Sequence, residues 1–206
     1  MELLLANLAR LSQKFRNAYY PWMPIKPFIP EKLVPAAQSL DIYSAWRGLE
    51  LTIPDILSRF GVATGSCIEF GVEFGYSTVA FSNYFDKVVG IDLFVGDINT
   101  DHKGDHFRET RARLSAFPNI ELHKTSYQDW IASDDSYYDL AHVDIVHTYR
   151  DTFKCGLWAA QHSTCTLFHD TESFVDVRNA AIDAARCAGK EVFNYPQHYG
   201  LGIVVG

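Results

Sequence analysis

From Ser66 onward, short apolar runs alternate with helical stretches, and this alternation limits the fold more than any other feature of the chain. The runs are CIEFG, KVVGIDLF, NIELHKTS, YDLAHVDIV and CTLFHD, each bounded by turn signals. Helical stretches begin between them near Tyr76, Asp105, Tyr127, Tyr149 and Ser173. Short strands alternating with helices build βαβ units and a parallel sheet. The chain closes with KEVFNYPQHYGLGIVVG, two strand-like runs whose link is too short for a crossover helix, so these two are antiparallel. The expected fold is α/β: a Rossmann-like doubly wound sheet of about seven strands, parallel except the last, over residues 66–206. Residues 1–65 form a helical and Pro/aromatic extension ahead of it.

Within the extension, Leu4, Leu8, Leu11, Phe15 and Tyr19 share one helical stripe, with Arg10, Lys14 and Arg16 elsewhere. Such a helix docks on the domain or on a second subunit, giving a homodimer; the alternative is a basic amphipathic helix on a membrane surface. YYPWMPIKPFIPEKLVP carries five prolines and cannot be a regular helix, so it is either a connector or an arm across the mouth of a site. SAWRGLELTIPDILSRFG reads as helical apart from Pro54, with Gly61 as its stop.

A formal charge of −7 disfavours nucleic acid as the main partner, because that binding rests on clustered Lys and Arg. A small molecule is the better match. Cys67, Cys155, Cys165 and Cys187 form no C-x-x-C pair and sit in or beside apolar segments, as expected of reduced thiols in a cytoplasmic protein. No apolar run is long enough to span a bilayer, and the N-terminus lacks the features of a secretory leader.

The first strand turns into its helix within CIEFGVEFGYST, the place where open α/β sheets bind ligands. No G-K-[ST] follows, so this is not a P-loop, and glycines four apart do not make G-x-G-x-x-G. A dinucleotide would set its pyrophosphate against Glu69 and Glu73, which would repel it. A ligand with an ammonium and a sulfonium would be attracted instead, and S-adenosylmethionine is such a ligand. Gly71 and Gly75 let the backbone approach it, while Ser77 and Thr78 offer hydroxyls and N–H groups to its carboxylate. The plainer reading makes both glutamates solvated acids of a turn. Asp92 ends the second run, where an acid accepts from ribose hydroxyls, although NAD enzymes place an acid there too. Leu93 and Phe94 would wall an adenine, with Ser126, Tyr127 and Asp129 near its edge; those residue types also start helices.

IEFGVEFGYST, VVGIDLF, HVDIVHTY and LFHDT, in that order, resemble the motifs of class I S-adenosylmethionine-dependent methyltransferases. The nearest resemblance is to the branch with macrocin and mycinamicin sugar O-methyltransferases and cephalosporin hydroxylase-like proteins. It runs from about Ser66 to the C-terminus. Asp144 and His147 follow the fourth strand, and His169 and Asp170 the fifth, which brings all four to one rim. Asp144, His169 and Asp170 suit a divalent cation such as Mg²⁺, or Fe²⁺ given the imidazole. The resemblance implies the same metal position, with His147 taking the proton of an acceptor hydroxyl; here His169 stands where that family has a carboxylate. Alternatively, Asp144 contacts only cofactor or backbone and His169 caps a strand. The Asp-rich loop DLFVGDINTDHKGDHF lacks the glycine and terminal Glu of a calcium loop and reads as a lid or a solvated loop. The expected activity is methyl transfer to a hydroxyl of a sugar or a natural-product alcohol or phenol. The rivals are a non-catalytic S-adenosylmethionine-binding scaffold and an Fe(II)- or NAD-dependent oxidoreductase.

Overall fold

The computed structural model describes residues 25–96, 100 and 102–206. The leucine stripe lies outside these residues, as do Asp97 and Asp101 of the acidic loop. One eight-stranded sheet runs through the molecule in the order β1-β7-β8-β6-β5-β2-β3-β4. The strands are β1 (Lys26–Pro27), β2 (Ser66–Phe70), β3 (Lys87–Asp92), β4 (Ile120–Lys124), β5 (Tyr138–Val143), β6 (Ser163–His169), β7 (Glu191–Tyr195) and β8 (Leu201–Val205). The helices are α1 (Ile53–Phe60), α2 (Tyr76–Ser82), α3 (Phe107–Leu114), α4 (Tyr127–Ile131), α5 (Tyr149–Gln161) and α6 (Val175–Ala188). Only β8 is antiparallel to its neighbours, β6 and β7. The strand beyond the expected seven is β1, two residues of the Pro-rich segment paired with the sheet edge at Phe193 and Asn194. Proline is tolerated at such an edge because it owes no ladder hydrogen bond on its outer side.

The stretch expected to be one helix before Ser66 divides instead into a 3₁₀ turn at Leu49–Thr52 and α1. Pro54 falls in the first turn of α1, where its missing N–H costs nothing. Gly61 ends that helix in the left-handed region at φ 61°, and Val62 N–H reaches back to the Leu57 carbonyl.

Alternation along the strands sorts the core into two layers. Cys67, Leu140, Cys165, Leu167 and Ile203 face α1, α2 and the segment before Ser66. Ile68, Phe70, Val143 and Phe168 face α5 and α6, whose contacts include Cys155, Ala159, Ala181 and Ala185. Phe28, Leu49, Ile53 and Ile56 are at most 1% exposed. Each contributes roughly 1.5–3 kcal/mol by leaving water, so residues 28–56 are held to the sheet. Cys67, Cys155 and Cys165 are buried free thiols, and Cys187 is exposed. Among the described residues, no helix is long and apolar enough to cross a membrane.

Candidate active site

Strand order reverses at β2: β3 and β4 build outward on one side, while β5 and β6 build on the other. A crevice opens at such a point because the connections leave in opposite directions. A cavity of about 360 Å³ occupies it, lined by residues that follow the carboxyl ends of β2 to β6. Gly71 stands where the end of β2 meets the end of β5. It has φ +93°, and a Cβ there would lie 1.7 Å from the Asp144 carbonyl oxygen, so no side chain fits. Asp144 N–H in turn donates to the Phe70 carbonyl at 2.8 Å, tying the two strand ends together.

Asp92 organises the glycine loop. Its Oδ2 accepts from the N–H groups of Val72 and Glu73 at 2.8 Å each, and its Oδ1 from Phe94 N–H at 2.6 Å. A carboxylate has about four acceptor sites, so Asp92 keeps room for about one more donor from the cavity it lines. Glu73 takes a positive φ of 51° and leaves its half-exposed carboxylate at the rim, 3.9 Å from His102. Leu93, Ser126 and Tyr127 also line the cavity. Ser126 caps α4 by accepting from Asp129 N–H. Tyr127 donates its hydroxyl to Asp151 at 2.7 Å, and burial together with that hydrogen bond pushes its pKa up. The hydroxyl is thus committed within the protein.

Five residues expected near a ligand, Glu69, Gly75, Thr78, Phe94 and Asp129, are absent from the cavity wall. Glu69 is 0% exposed and absent from the cavity wall. Its carboxylate accepts from Ser77 Oγ at 2.5 Å, from Thr78 Oγ1, and from His142 Nδ1 at 2.9 Å. Ser77 reaches the cavity wall, but its hydroxyl and that of Thr78 point inward to Glu69 and are not free for a ligand carboxylate. Thr78 lies behind the wall, as does Gly75, which heads α2 at φ +89°. The reason is strand parity: Glu69 alternates with Ile68 and Phe70 and so points into the layer beneath α2.

Asp144, His147, His169 and Asp170 do converge. His169 Nδ1 lies 3.0 Å from Asp144 Oδ2 and 3.4 Å from Asp170 Oδ2. His147 Nε2 lies 3.1 Å from Asp170 Oδ2 and 3.6 Å from Asp144 Oδ1. Its ring stacks on Phe174 at 4.1 Å. Asp170 sits at φ 65°, a conformation that few side chains other than Asn and Asp adopt without strain. Burial opposes charge on Asp144, but the imidazoles of His169 and His147 outweigh it and hold the carboxyl far below its usual range. Burial likewise opposes charge on His147, yet the hydrogen bonds and charges of Asp144 and Asp170 raise it to about 10. His169 is raised by the same two acids against its burial. Two nitrogens of this cluster, His147 Nδ1 and His169 Nε2, are buried without a hydrogen-bond partner.

One donor atom from each of Asp144, His169 and Asp170 falls within 4.8 Å of the others, the spacing a single ion requires. Two carboxylates and an imidazole fit a divalent cation of the Mg²⁺, Mn²⁺ or Fe²⁺ type. The lining as a whole carries Glu73, Asp92, Asp144 and Asp170, and among the described residues no Lys or Arg. That charge suits a cationic donor and not a pyrophosphate.

Sequence reasoning missed residues 42–46, which wall the cavity from the side of the extension, and His142 beneath it. A lone tryptophan after an irregular stretch gives no periodic signal. His142 did carry one: it is a histidine inside an apolar strand, on the same face as Asp144 two residues on.

Residues 68–171 match a family model described as a methyltransferase domain. No curated protein matches the sequence. Among solved structures, CalS10, a SAM-bound amino pentose methyltransferase from Micromonospora echinaspora, aligns with a TM-score of 0.57 at 12% identity, over 78% of this chain and 91% of its own. A putative caffeoyl-CoA O-methyltransferase from Staphylococcus aureus aligns with a TM-score of 0.57 at 14% identity, over 81% and 86%. DesVI from Streptomyces venezuelae gives 0.53 at 14% identity, over 72% and 86%. With the sheet order, the crevice after β2 and an acid-lined cavity in place, the chain belongs to the methyltransferase-domain family, as a class I S-adenosylmethionine-dependent methyltransferase.

Proposed function

We propose that this methyltransferase acts on a hydroxyl of a small molecule, a sugar or a natural-product alcohol or phenol, with help from a divalent cation. The observation that carries the reading is the convergence of Asp144, His147, His169 and Asp170 on the rim next to the glycine loop. Gly71, Glu73, Asp92, Leu93, Ser126 and Tyr127 would hold the methyl donor, with Asp92 accepting from its ribose and the acids facing its cationic end. The acceptor would enter between residues 42–46 and His147. Its oxygen forms a bond to the methyl carbon as the carbon–sulfur bond breaks, leaving S-adenosylhomocysteine, while the hydroxyl proton passes to His147 Nε2. Positioning supplies most of the rate in such an in-line displacement, and proton removal typically adds about 10²–10⁴-fold.

A cation held by Asp144, His169 and Asp170 would engage their carboxylates and acidify the acceptor hydroxyl. Without such engagement, the two acids favour the imidazolium of His147, which cannot accept a proton. The reading therefore requires that turnover depend on divalent metal.

Calorimetric titration with S-adenosylhomocysteine, beside NAD, tests the donor site. Micromolar binding of the first only, weakened by Asp92→Ala, is expected, followed by metal-dependent transfer to sugars or phenols in an acceptor screen. NAD binding alone would overturn the reading in favour of an oxidoreductase. S-adenosylhomocysteine binding with transfer that persists in chelator would remove both the metal and His147 as proton acceptor from it.

A further inference from the structure

Beneath the cavity, one buried chain of hydrogen bonds joins the layer under the glycine loop to the segment before Ser66. Glu69 and His142 are register partners on β2 and β5, so their side chains stand side by side on the same face. Trp46 donates its indole N–H to His142 Nε2 at 3.0 Å. An indole nitrogen only donates, so Nε2 must be the acceptor and the imidazole proton must sit on Nδ1. That proton is given to Glu69 Oε1 at 2.9 Å. Glu69, His142 and Trp46 are all at most 2% exposed. The Trp46 ring packs edge-on against Phe81 and His142, each at 5.2 Å between centroids. The same carboxylate holds Ser77 and Thr78 in the first turn of α2.

We infer that Trp46 is the anchor that seats residues 42–45 as the acceptor-side wall, and that Glu69 positions it through His142. The acid first expected to touch the methyl donor is instead a positioning residue, bracing donor loop and acceptor wall with one carboxylate. This rests on the reading of the cavity as a donor and acceptor site. Residues 43–45 need such an anchor because they have little hold of their own: Ile42 packs partly buried against the core, but Tyr43 is 88% exposed, and only Trp46 among residues 42–46 is fully buried. A buried acid is costly unless it is paired and hydrogen-bonded; here α2 supplies two donors to Glu69, and the third is His142 on β5, which in turn accepts from Trp46.

Hydrogen exchange of the full chain, read by mass spectrometry on peptides spanning 42–48, tests this together with calorimetry against S-adenosylhomocysteine. His142→Phe removes both hydrogen bonds while keeping a ring in the space. Exchange over 42–48 is expected to rise by at least about tenfold while the sheet peptides stay unchanged. Affinity for S-adenosylhomocysteine should stay within about threefold. His142→Gln, whose amide NH2 can donate to Glu69 while its carbonyl accepts from Trp46, should restore protection. Should His142→Phe fail to fold, Trp46→Phe gives the same readout with Glu69 and His142 intact. Unchanged exchange over 42–48 would overturn the inference, and so would faster exchange spread evenly over the sheet. If the wild-type protein does not bind S-adenosylhomocysteine, the functional reading falls, yet the exchange comparison still decides whether Trp46 is the anchor.

Discussion

Two acid–imidazole clusters stand at the ends of β2, β5 and β6, and they differ in how completely their polar atoms are used. In the buried one, Glu69 accepts three hydrogen bonds and both nitrogens of His142 are engaged. In the other, at the cavity rim, two imidazole nitrogens lack partners and four side chains share a few long contacts between 3.0 and 3.6 Å. A saturated network holds a shape, whereas an unsaturated one has capacity left for a proton, a metal or a substrate. Residue types alone would not distinguish them, since both are built from carboxylates and histidines.

The sharpest way to break this contrast is to delete one acid from each. Glu69→Ala strands the His142 N–H and two hydroxyls in a buried layer, and each unsatisfied buried group costs about 1–3 kcal/mol. Asp144→Ala should cost less stability, and less still as pH rises, because its carboxylate reaches the cavity and the imidazoles beside it can lose their protons. Its expected effect is on turnover, a loss of about 10²-fold or more. Denaturant midpoints and initial rates for the two variants, measured side by side, check this. Equal destabilisation by both would erase the difference between the clusters.

The pH dependence gives a finer test. His147 is raised from 6.5 to about 10. A raised folded value means stability that is fully present below pH 6.5 and lost as pH climbs through about 10. Asp144, held far below its usual value of 3.8, contributes stability present above that value and lost as pH falls through its lower folded value. The rim cluster should therefore stabilise most between those limits. The difference in melting temperature between wild type and His147→Gln should shrink from pH 6 to pH 10.5. A difference that stays constant over that interval would mean that His147 is not held as a cation by Asp144 and Asp170.

The same contrast explains what could be read from the sequence. The strand–helix alternation and the short link between the last two runs predicted the sheet and its one antiparallel strand, because period-two and turn chemistry are local. β1 escaped notice because a Lys-Pro pair becomes a strand only when an edge is there to receive it. Gly71, Asp92, Asp144, His147, His169 and Asp170 meet at the crevice because each ends or closely follows a strand, and strand ends converge in this topology. The charge of Glu69 suggests a ligand contact, but its parity on β2 turns it into the layer beneath α2. Trp46 gave no signal, since its partner lies 96 residues away and only the folded sheet brings them together.

The smallest expected effect isolates a single bond in the saturated cluster. Trp46→Phe keeps an aromatic ring against Phe81 but removes the indole N–H, leaving His142 Nε2 as a buried acceptor with no donor. An unsatisfied buried group costs about 1–3 kcal/mol, against about 0.5–1.5 for an ordinary hydrogen bond lost to water. A denaturant midpoint shifted by an amount in the upper range, with an unchanged slope, would show that this layer stays dry without the indole. A shift near zero would mean that water reaches His142 as readily as it reaches the rim, and the two clusters would then differ in position but not in kind.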